Sequence, residues 1–226
     1  KEYSIADYQK DIRKILDELE QTGKDIVLVG GSGLYIRSAL YDYVFDEQTN
    51  EVDMSNYEKL DNHALHEELK RIDPVEAEKI HENNRKRVLR AIEIYLSMGA
   101  RKSDIIASQE HRLLYNAKFF VRDVDREKLY EKIDKRVDMM MKEGLLDEVK
   151  SLVEKYGSDL RALQAIGYKE LIPVVKGEGC LEEAIAEIKK NSRNYAKRQL
   201  TFIKHQFPSI FYKDTEDLLE KLKWVI

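Results

Sequence analysis

Hydrophobic and polar residues in the first forty positions alternate in a way that predicts a helix, a strand and a second helix. Ser4 begins the run S-I-A-D, in which Asp7 holds the third helical position, as in a capping box. The apolar residues that then fall on one helical face are Ile5, Tyr8, Ile12, Ile15, Leu16 and Leu19. The apolar, β-branched run "DIVLVGG" (25–31) is typical of a buried strand, and Gly33–Leu40 is predicted to be the next helix.

The middle of the chain is predicted to be helical. Residues 43–60 are acidic and polar without a clear period, which indicates a loop or a boundary. In "DPVE" (73–76), an aspartate stands at the N-cap and a proline at the first helical position. Asn84–Met98 shows helical spacing of its apolar residues and ends at Gly99, which favours a helix over that range.

The last part of the chain is predicted to alternate two strands with helices. "AKFFV" (117–121) and "SIFY" (209–212) are the strand candidates. Asp125 caps an amphipathic helix that runs through Met141, and Leu181–Phe207 is the longest predicted helix. The pattern indicates an α/β fold that is mostly helical. We expect a core of residues 1–43 and 115–226, with a helical domain inserted at 44–114.

Composition limits the classes of protein to consider. The chain has 226 residues, enough for one or two domains, with 36% charged and 42% hydrophobic residues. Its formal net charge of −4 means that binding to a polyanion requires local clustering of cations. A single cysteine, Cys180, excludes an intramolecular disulfide and fits a reducing compartment. No apolar run approaches the roughly 20 residues that span a bilayer, so we expect no membrane partner.

The glycine-rich stretch "LVGGSGLYIR" (28–37) is the first candidate for chemistry. It lacks the lysine of a phosphate-binding G-x-x-x-x-G-K-[ST] loop, and it does not match G-x-G-x-x-G. Three glycines let the backbone turn sharply and approach another molecule closely. Local physics favours a bend between strand and helix in which Ser32 caps the helix.

A second candidate is the basic segment "KKNSRNYAKRQLTFIKHQF" (189–207), which holds six Lys or Arg and no Asp or Glu. One row on the predicted helix, spaced by three and four, comprises Lys190, Arg193, Lys197, Thr201 and Lys204. Such a row can meet the phosphates of a nucleic acid. It can equally be the solvated face of an ordinary helix, and both interpretations stay open.

Two further segments carry weaker signals. In "NNRKRVLRAIEIY" (83–95), four cations crowd the first turns of a helix, where they oppose the macrodipole. Either a ligand or ion pairs with acids elsewhere would explain them. In "LQAIGYKEL" (163–171), Gly167 permits a turn, and Tyr168 with Lys169 offers a stacking ring and a cation for a nucleotide. A tyrosine in the core is the alternative.

Signals for a metal site or a nucleophile are weak. Of the five histidines only His63 and His66 are close in sequence, and no H-E-x-x-H is present. A surface pair explains them better than zinc. Cys180 has no candidate base nearby in sequence, which argues against a catalytic thiol. We therefore predict no metal site in this chain.

Taken together, the segments resemble the tRNA dimethylallyltransferase (tRNA isopentenyltransferase) family. The similar segments, in the family's order, are "EYSIADY", "LVGGSGLYIRSAL", "IDPVEAEKIHENNRKRVLRAIEIY", "GLLDEV", "QAIGYKE" and "NSRNYAKRQLTF". The resemblance implies a core akin to P-loop nucleotide enzymes, which bind ATP-like ligands, with an inserted helical domain. It implies transfer of a dimethylallyl group from dimethylallyl diphosphate to N6 of the adenosine 3′ to a tRNA anticodon, assisted by Mg²⁺.

The resemblance also implies roles for residues. The hydroxyl of Ser32 stands where many members have threonine and would touch the substrate nucleotide, with a possible catalytic role. The residues that would bind the tRNA anticodon stem-loop are Ser32, Lys86, Arg87, Val88, Leu89, Arg90, Gln164, Ala165, Ile166, Gly167, Tyr168, Lys169, Lys197, Arg198, Gln199, Leu200, Thr201, Phe202, Ile203 and Lys204.

The chain departs from the family's pattern at its start. The family's P-loop, its proposed general-base aspartate and its Mg²⁺ ligands precede the segment with which this chain begins, and residues 1–226 contain no G-x-x-x-x-G-K-[ST]. We therefore expect a fragment that is inactive alone, from a monomeric cytoplasmic enzyme. Two other functions stay open, a non-catalytic RNA-binding adaptor and a P-loop small-molecule kinase relative. A P-loop and an aspartate upstream would favour the transferase.

Overall fold

The computed structural model of the chain describes residues 3–43, 45, 52–108 and 110–223, and most of them are helical. The expected class, an α/β chain dominated by helices, is confirmed. The chain divides into two units, residues 1–117 and residues 118–226. The predicted division into a core of 1–43 and 115–226 with an insertion at 44–114 stays a prediction.

The described secondary structure of the first unit is helical apart from one antiparallel bridge between Tyr41 and Leu113. Its helices are α1 (Ile5–Glu20), α2 (Gly33–Leu40), α3 (Ser55–Glu58), α4 (Asn62–Ile72), α5 (Pro74–Lys79), α6 (Arg85–Met98) and α7 (Lys102–Ala107). The second unit holds β1 (Phe119–Arg122), α8 (Arg126–Lys142), α9 (Leu145–Tyr156), a 3₁₀ turn (Arg161–Gln164), α10 (Ile172–Val175), α11 (Leu181–Gln206), β2 (Ser209–Tyr212) and α12 (Thr215–Lys223). Strands β1 and β2 pair in parallel, with Phe119 opposite Ser209.

Helix α1 begins at the predicted capping box. The Ser4 hydroxyl accepts a hydrogen bond from the Asp7 backbone N–H (3.1 Å), and the Asp7 carboxylate accepts one from the Ser4 N–H (2.8 Å). Two donors that a helix start leaves unpaired are thereby satisfied. The prediction for this helix is confirmed.

Side chains of α1 hold the carboxyl end of α2. The Arg13 guanidinium donates to the carbonyl oxygens of Ser38 (3.1 Å), Ala39 (3.2 Å) and Tyr41 (2.5 Å). The Gln9 amide donates to the Ser38 carbonyl as well, at 2.7 Å. Because the last carbonyls of a helix lack partners within it, these bonds both satisfy them and fix α2 against α1.

The core of the first unit joins α4, α5 and α6. Its fully buried members include Leu65 and Leu69 of α4 and Val88 and Ile92 of α6. These positions recur at three- or four-residue spacing on each helix, so each presents one apolar face to the other.

Asp73 is a buried carboxylate, 1% exposed, that links two helices of this unit. One of its oxygens caps α5 by accepting from the Glu76 N–H (3.1 Å), and the other accepts from the Ser103 N–H in α7 (2.9 Å). Burial alone would raise the pKa of this carboxyl, but the hydrogen bonds from Ser103 and Glu76 outweigh it and hold the pKa below its ordinary value. The predicted cap at "DPVE" is confirmed.

Gly99 ends α6 in the left-handed region, at φ +67°, and its N–H donates to the Tyr95 carbonyl at 2.8 Å. A Cβ here would meet no atom within 4 Å, so Gly99→Ala should cost only backbone strain. We expect a loss of about 1 kcal/mol in the free energy of unfolding, measured by urea titration. Gly99→Asn, which tolerates this φ better, should lose less, and equal losses would contradict the strain argument.

The second unit packs α8, α9 and α11 around one core. Its buried residues include Val137 of α8, Val149 of α9, Leu171, and Ile188 of α11. Both strand predictions in this unit are confirmed, and so is the long helix, which runs for 26 residues.

The strand predicted at 25–31 is wrong for this structure. Residues 25–30 lie in neither a helix nor a strand, and the two-stranded sheet of the described residues does not include them. Val27 and Val29 are 82% and 88% exposed. A segment becomes a strand only through hydrogen bonds to a neighbouring strand, and an apolar run predicts burial without supplying that neighbour.

Candidate nucleic-acid interface

The basic residues of α11 divide into two halves with different surroundings. In the first half, Lys189 meets Asp138 of α8 (2.6 Å) and Arg193 meets Asp134 of α8 (2.5 Å). Lys190 pairs with Glu187 of its own helix at 3.0 Å. Ion pairs thus neutralise this half, two of them with acids of α8 that are remote in sequence and one with Glu187 of the same helix. The side chains of Lys189 and Arg193 are 23% and 29% exposed, so these two cations lie on a packed face and not on a solvated one.

The second half of the row has no carboxylate partner within 4.0 Å among the described residues. Lys197, Arg198, Thr201 and Lys204 are all exposed. Arg198 stacks on the ring of Tyr195 at 6.0 Å, and Lys204 lies 5.5 Å from the ring centre of Phe211. The positive charge here is therefore uncompensated and faces solvent.

An open cavity of about 400 Å³ lies along this second half of α11. Its lining comprises Asn194, Lys197, Arg198, Thr201 and Phe202. Two cations, a hydroxyl, an amide and an aromatic ring are the groups that bind phosphate oxygens and the faces of bases. Asn194 was not predicted, although it lies three residues before Lys197, where a helix brings side chains to one face.

The segment Gln164–Lys169 lies in the same unit as α11. Gly167 is buried and adopts φ +101°, which confirms the predicted turn. Tyr168 packs on the core of the second unit, and its hydroxyl donates to Glu148 at 2.6 Å. This hydrogen bond raises the pKa of Tyr168 above its ordinary value. The ring therefore fits the core alternative, whereas Gln164 and Lys169 are exposed.

The cations at the start of α6 also differ among themselves. Arg85 donates to the carbonyls of Leu60 (2.7 Å) and Glu58 (2.6 Å), which is a structural role. Arg90 pairs with Glu93 at 2.7 Å. Lys86 and Arg87 are exposed, and the described residues place no carboxylate within 4.0 Å of either.

Two predicted positions on α6 face inward. Val88 is fully buried in the core of the first unit, and Leu89 packs against that core. The Val88 side chain is thus unavailable to a ligand in this structure, because the helical face that carries it is the one that packs on α4.

Ser32 occupies the N-cap position of α2, with φ −85° and ψ 94°, and is exposed. The predicted position of Ser32 as the cap of this helix is confirmed, but its side chain makes no capping hydrogen bond. The hydroxyl is therefore not committed to the helix that follows it. Ser32 and Lys86–Arg90 belong to the first unit, and Gln164–Lys169 and Lys197–Lys204 belong to the second.

Other kinds of site find little support in the described ranges. Within them, no three His, Cys, Asp or Glu side chains gather in a way that could hold a metal ion. The Cys180 thiol donates to its neighbour Glu182 at 3.0 Å. No helix in the described part of the chain is both long and apolar enough to cross a membrane.

Comparison with known proteins gives a consistent result. Residues 1–206 match the family model of IPP transferase. A tRNA dimethylallyltransferase of Anoxybacillus flavithermus is 42% identical over 218 residues, covering 96% of this chain and 70% of the relative. One from Bacillus cereus is 40% identical over 232 residues, covering 99% of this chain and 73% of the relative.

Solved structures agree with the sequence relatives. A tRNA delta(2)-isopentenylpyrophosphate transferase from Staphylococcus epidermidis is 36% identical, with a TM-score of 0.65 over 99% of this chain and 76% of that one. A eukaryotic dimethylallyltransferase caught acting on tRNA is 26% identical, with a TM-score of 0.77 over 98% of this chain and 61% of that one.

Proposed function

The chain belongs to the IPP transferase family, and from that premise we propose that it binds a tRNA anticodon arm and serves in transfer of a dimethylallyl group to it. The observation that carries the RNA-binding part is the second half of α11, where Lys197, Arg198 and Lys204 face solvent without carboxylate partners in the described residues. Neutralising phosphates with such cations releases counterions, which drives binding.

The acceptor in this proposal is N6 of the adenosine 3′ to the anticodon. The bond between the allylic carbon and the diphosphate oxygen breaks, a bond from that carbon to N6 forms, and N6 loses a proton. An exocyclic amine is a weak nucleophile, so the reaction needs a base and close alignment of the two substrates. The adenosine must leave its stack to be aligned in this way.

Ser32 is proposed to contact the extruded adenosine near N6. Its exposure and the absence of a capping bond support this, because the hydroxyl can exchange a hydrogen bond with a ligand at no cost to α2. The Mg²⁺ that the resemblance implies would assist departure of the diphosphate, but the described residues offer no set of side chains that fits it. We further infer a monomer that acts in the cytoplasm.

The direct test is transfer of label. The full-length protein would be incubated with radiolabelled dimethylallyl diphosphate and unmodified tRNA, and label in RNA would be counted. Incorporation at the adenosine 3′ to the anticodon is expected. Tight tRNA binding without incorporation would favour the adaptor, and transfer of phosphate to a small acceptor would favour the kinase relative.

Replacement of Ser32 tests its contact with the adenosine. We expect Ser32→Ala to lower kcat/KM for tRNA about three- to tenfold, the worth of one hydrogen bond between neutral groups. Ser32→Thr, which keeps the hydroxyl, should retain most of the activity. Since the side chain makes no cap, both variants should unfold at the urea concentration of the wild type. Full activity in Ser32→Ala would contradict the proposed contact between Ser32 and the adenosine.

A further inference from the structure

A buried carboxylate, Glu170, joins the segment Gln164–Lys169 to α11. Its side chain is 5% exposed. One oxygen accepts a hydrogen bond from the Gly167 backbone N–H, and the other accepts one from the Asn191 side-chain amide, both at 2.8 Å. Lys169 lies 3.7 Å from the second oxygen.

An ionised carboxylate is a costly group to bury beside a hydrophobic core, and an apolar residue can fill such a space at lower cost. Here both oxygens are used, and each bond ends on a different segment of the chain. The two hydrogen bonds of Glu170 therefore fix the turn at Gly167 to α11 at Asn191.

Asn191 also marks a particular face of α11. Residues three, four and seven positions further on are Asn194, Tyr195 and Arg198, which share its side of the helix. All three are exposed, and Asn194 and Arg198 line the open cavity. The contact from Glu170 therefore lies on the same face as Arg198, about two turns before it.

We propose that Glu170 is a positioning residue that sets the segment Gln164–Lys169 beside the second half of α11, so that both contact the phosphate backbone of one RNA hairpin. This rests on the proposed function and deepens it. The exposed Gln164 and Lys169 then lie along the same RNA backbone as Lys197 and Arg198. Because Lys169 is 3.7 Å from the Glu170 carboxylate, it offers hydrogen-bond donors there and little net charge.

The test is an exchange of donor and acceptor. In Glu170→Gln, the new amide NH₂ faces either the Gly167 N–H or the Asn191 amide, so two donors meet and one of the two hydrogen bonds is lost. We expect the Kd for tRNA to rise about tenfold while kcat at saturating tRNA stays within twofold, because positioning acts on binding. In the double variant Glu170→Gln with Asn191→Asp, the oxygen of the introduced amide can accept from Gly167, and its NH₂ can donate to the introduced carboxylate on α11. We expect the Kd to return to within about threefold of wild type.

Two controls separate positioning from loss of charge or of structure. Glu178→Gln makes the same charge change at an exposed site of the same unit and should leave the Kd unchanged. Asn191→Ala removes one of the two bonds and keeps the Glu170 carboxylate. It should raise the Kd about threefold, and it decides the question if Glu170→Gln does not fold.

The outcomes also separate this inference from the proposed function. Wild-type affinity in Glu170→Gln, or a folded double variant that stays as weak as the single one, would overturn the positioning role and leave the transferase proposal standing. A wild-type protein that neither binds nor labels tRNA would instead remove the proposed function itself.

Discussion

Replacing Lys197 and Arg198 together by glutamate is expected to weaken tRNA binding at low salt by about 100-fold or more. Both side chains are exposed on α11 and have no carboxylate partner among the described residues, so each is available to a phosphate. Reversing two such charges removes two contacts and adds repulsion. The slope of log Kd against log salt should become shallower by about two, one for each lost phosphate contact.

The chain supplies a matched control for this variant. Lys135 and Arg136 form the same dipeptide on α8, and both are exposed. Lys135→Glu with Arg136→Glu changes the net charge equally and should leave both the Kd and its salt slope near wild type. Equal losses in the two variants would show that total charge governs binding, and the second half of α11 would lose its special role.

Asp73→Asn is expected to lower the free energy of unfolding of the first unit by about 2 to 3 kcal/mol at pH 7. The carboxylate is buried and accepts from two backbone N–H groups. An amide would offer only one acceptor and would set its own donors against the second N–H. The same change at Asp61 is the control, since that residue caps α4 (2.8 Å to the Ala64 N–H) in an exposed position and should cost about 1 kcal/mol or less.

The effect of Asp73 should also depend on pH in a defined direction. Its pKa is lowered in the folded protein, so its contribution is complete above the unfolded value of about 3.9 and is lost as the pH falls through the lower folded pKa. Urea titrations at pH 7, 5 and 3.5 should give the difference in the free energy of unfolding between wild type and Asp73→Asn. We expect this difference to be constant down to about pH 5 and smaller at pH 3.5. A difference in unfolding free energy that grows as the pH falls would contradict a lowered pKa of Asp73 in the folded protein.

Elements with local signals could be predicted from the sequence. The capping box at Ser4 and the glycine end of α6 depend on residues within one helical turn of each other, and both are confirmed. Helix α12 was missed although its signal is also local. Asp214 accepts from the Asp217 N–H at 3.0 Å, and the capping spacing D-x-x-D is present in "DTED".

Features that depend on distant residues could not be predicted in the same way. The spacing of Lys190, Arg193 and Lys197 shows that they share a helical face. It does not reveal that Asp134, which is 59 residues away in sequence, lies beside Arg193 in the folded protein. The failed strand at 25–31 has the same origin, because its pattern is local while pairing is not. The packing of α8 against α11 decides which half of the basic row has carboxylate partners, and the sequence of α11 alone does not show this.

The hydrogen bonds from Arg13 fix the carboxyl end of α2, so a change in the tilt of this helix would move its amino end most. Eight residues at 1.5 Å each give it a length of about 12 Å, with Ser32 at the far tip. A tilt of roughly 5° at the pivot would swing the tip by about 1 Å, a displacement large enough to slow an aligned reaction severely. If Ser32 contacts the adenosine as proposed, the rate of transfer depends on the hydrogen bonds of Arg13 in α1 as well.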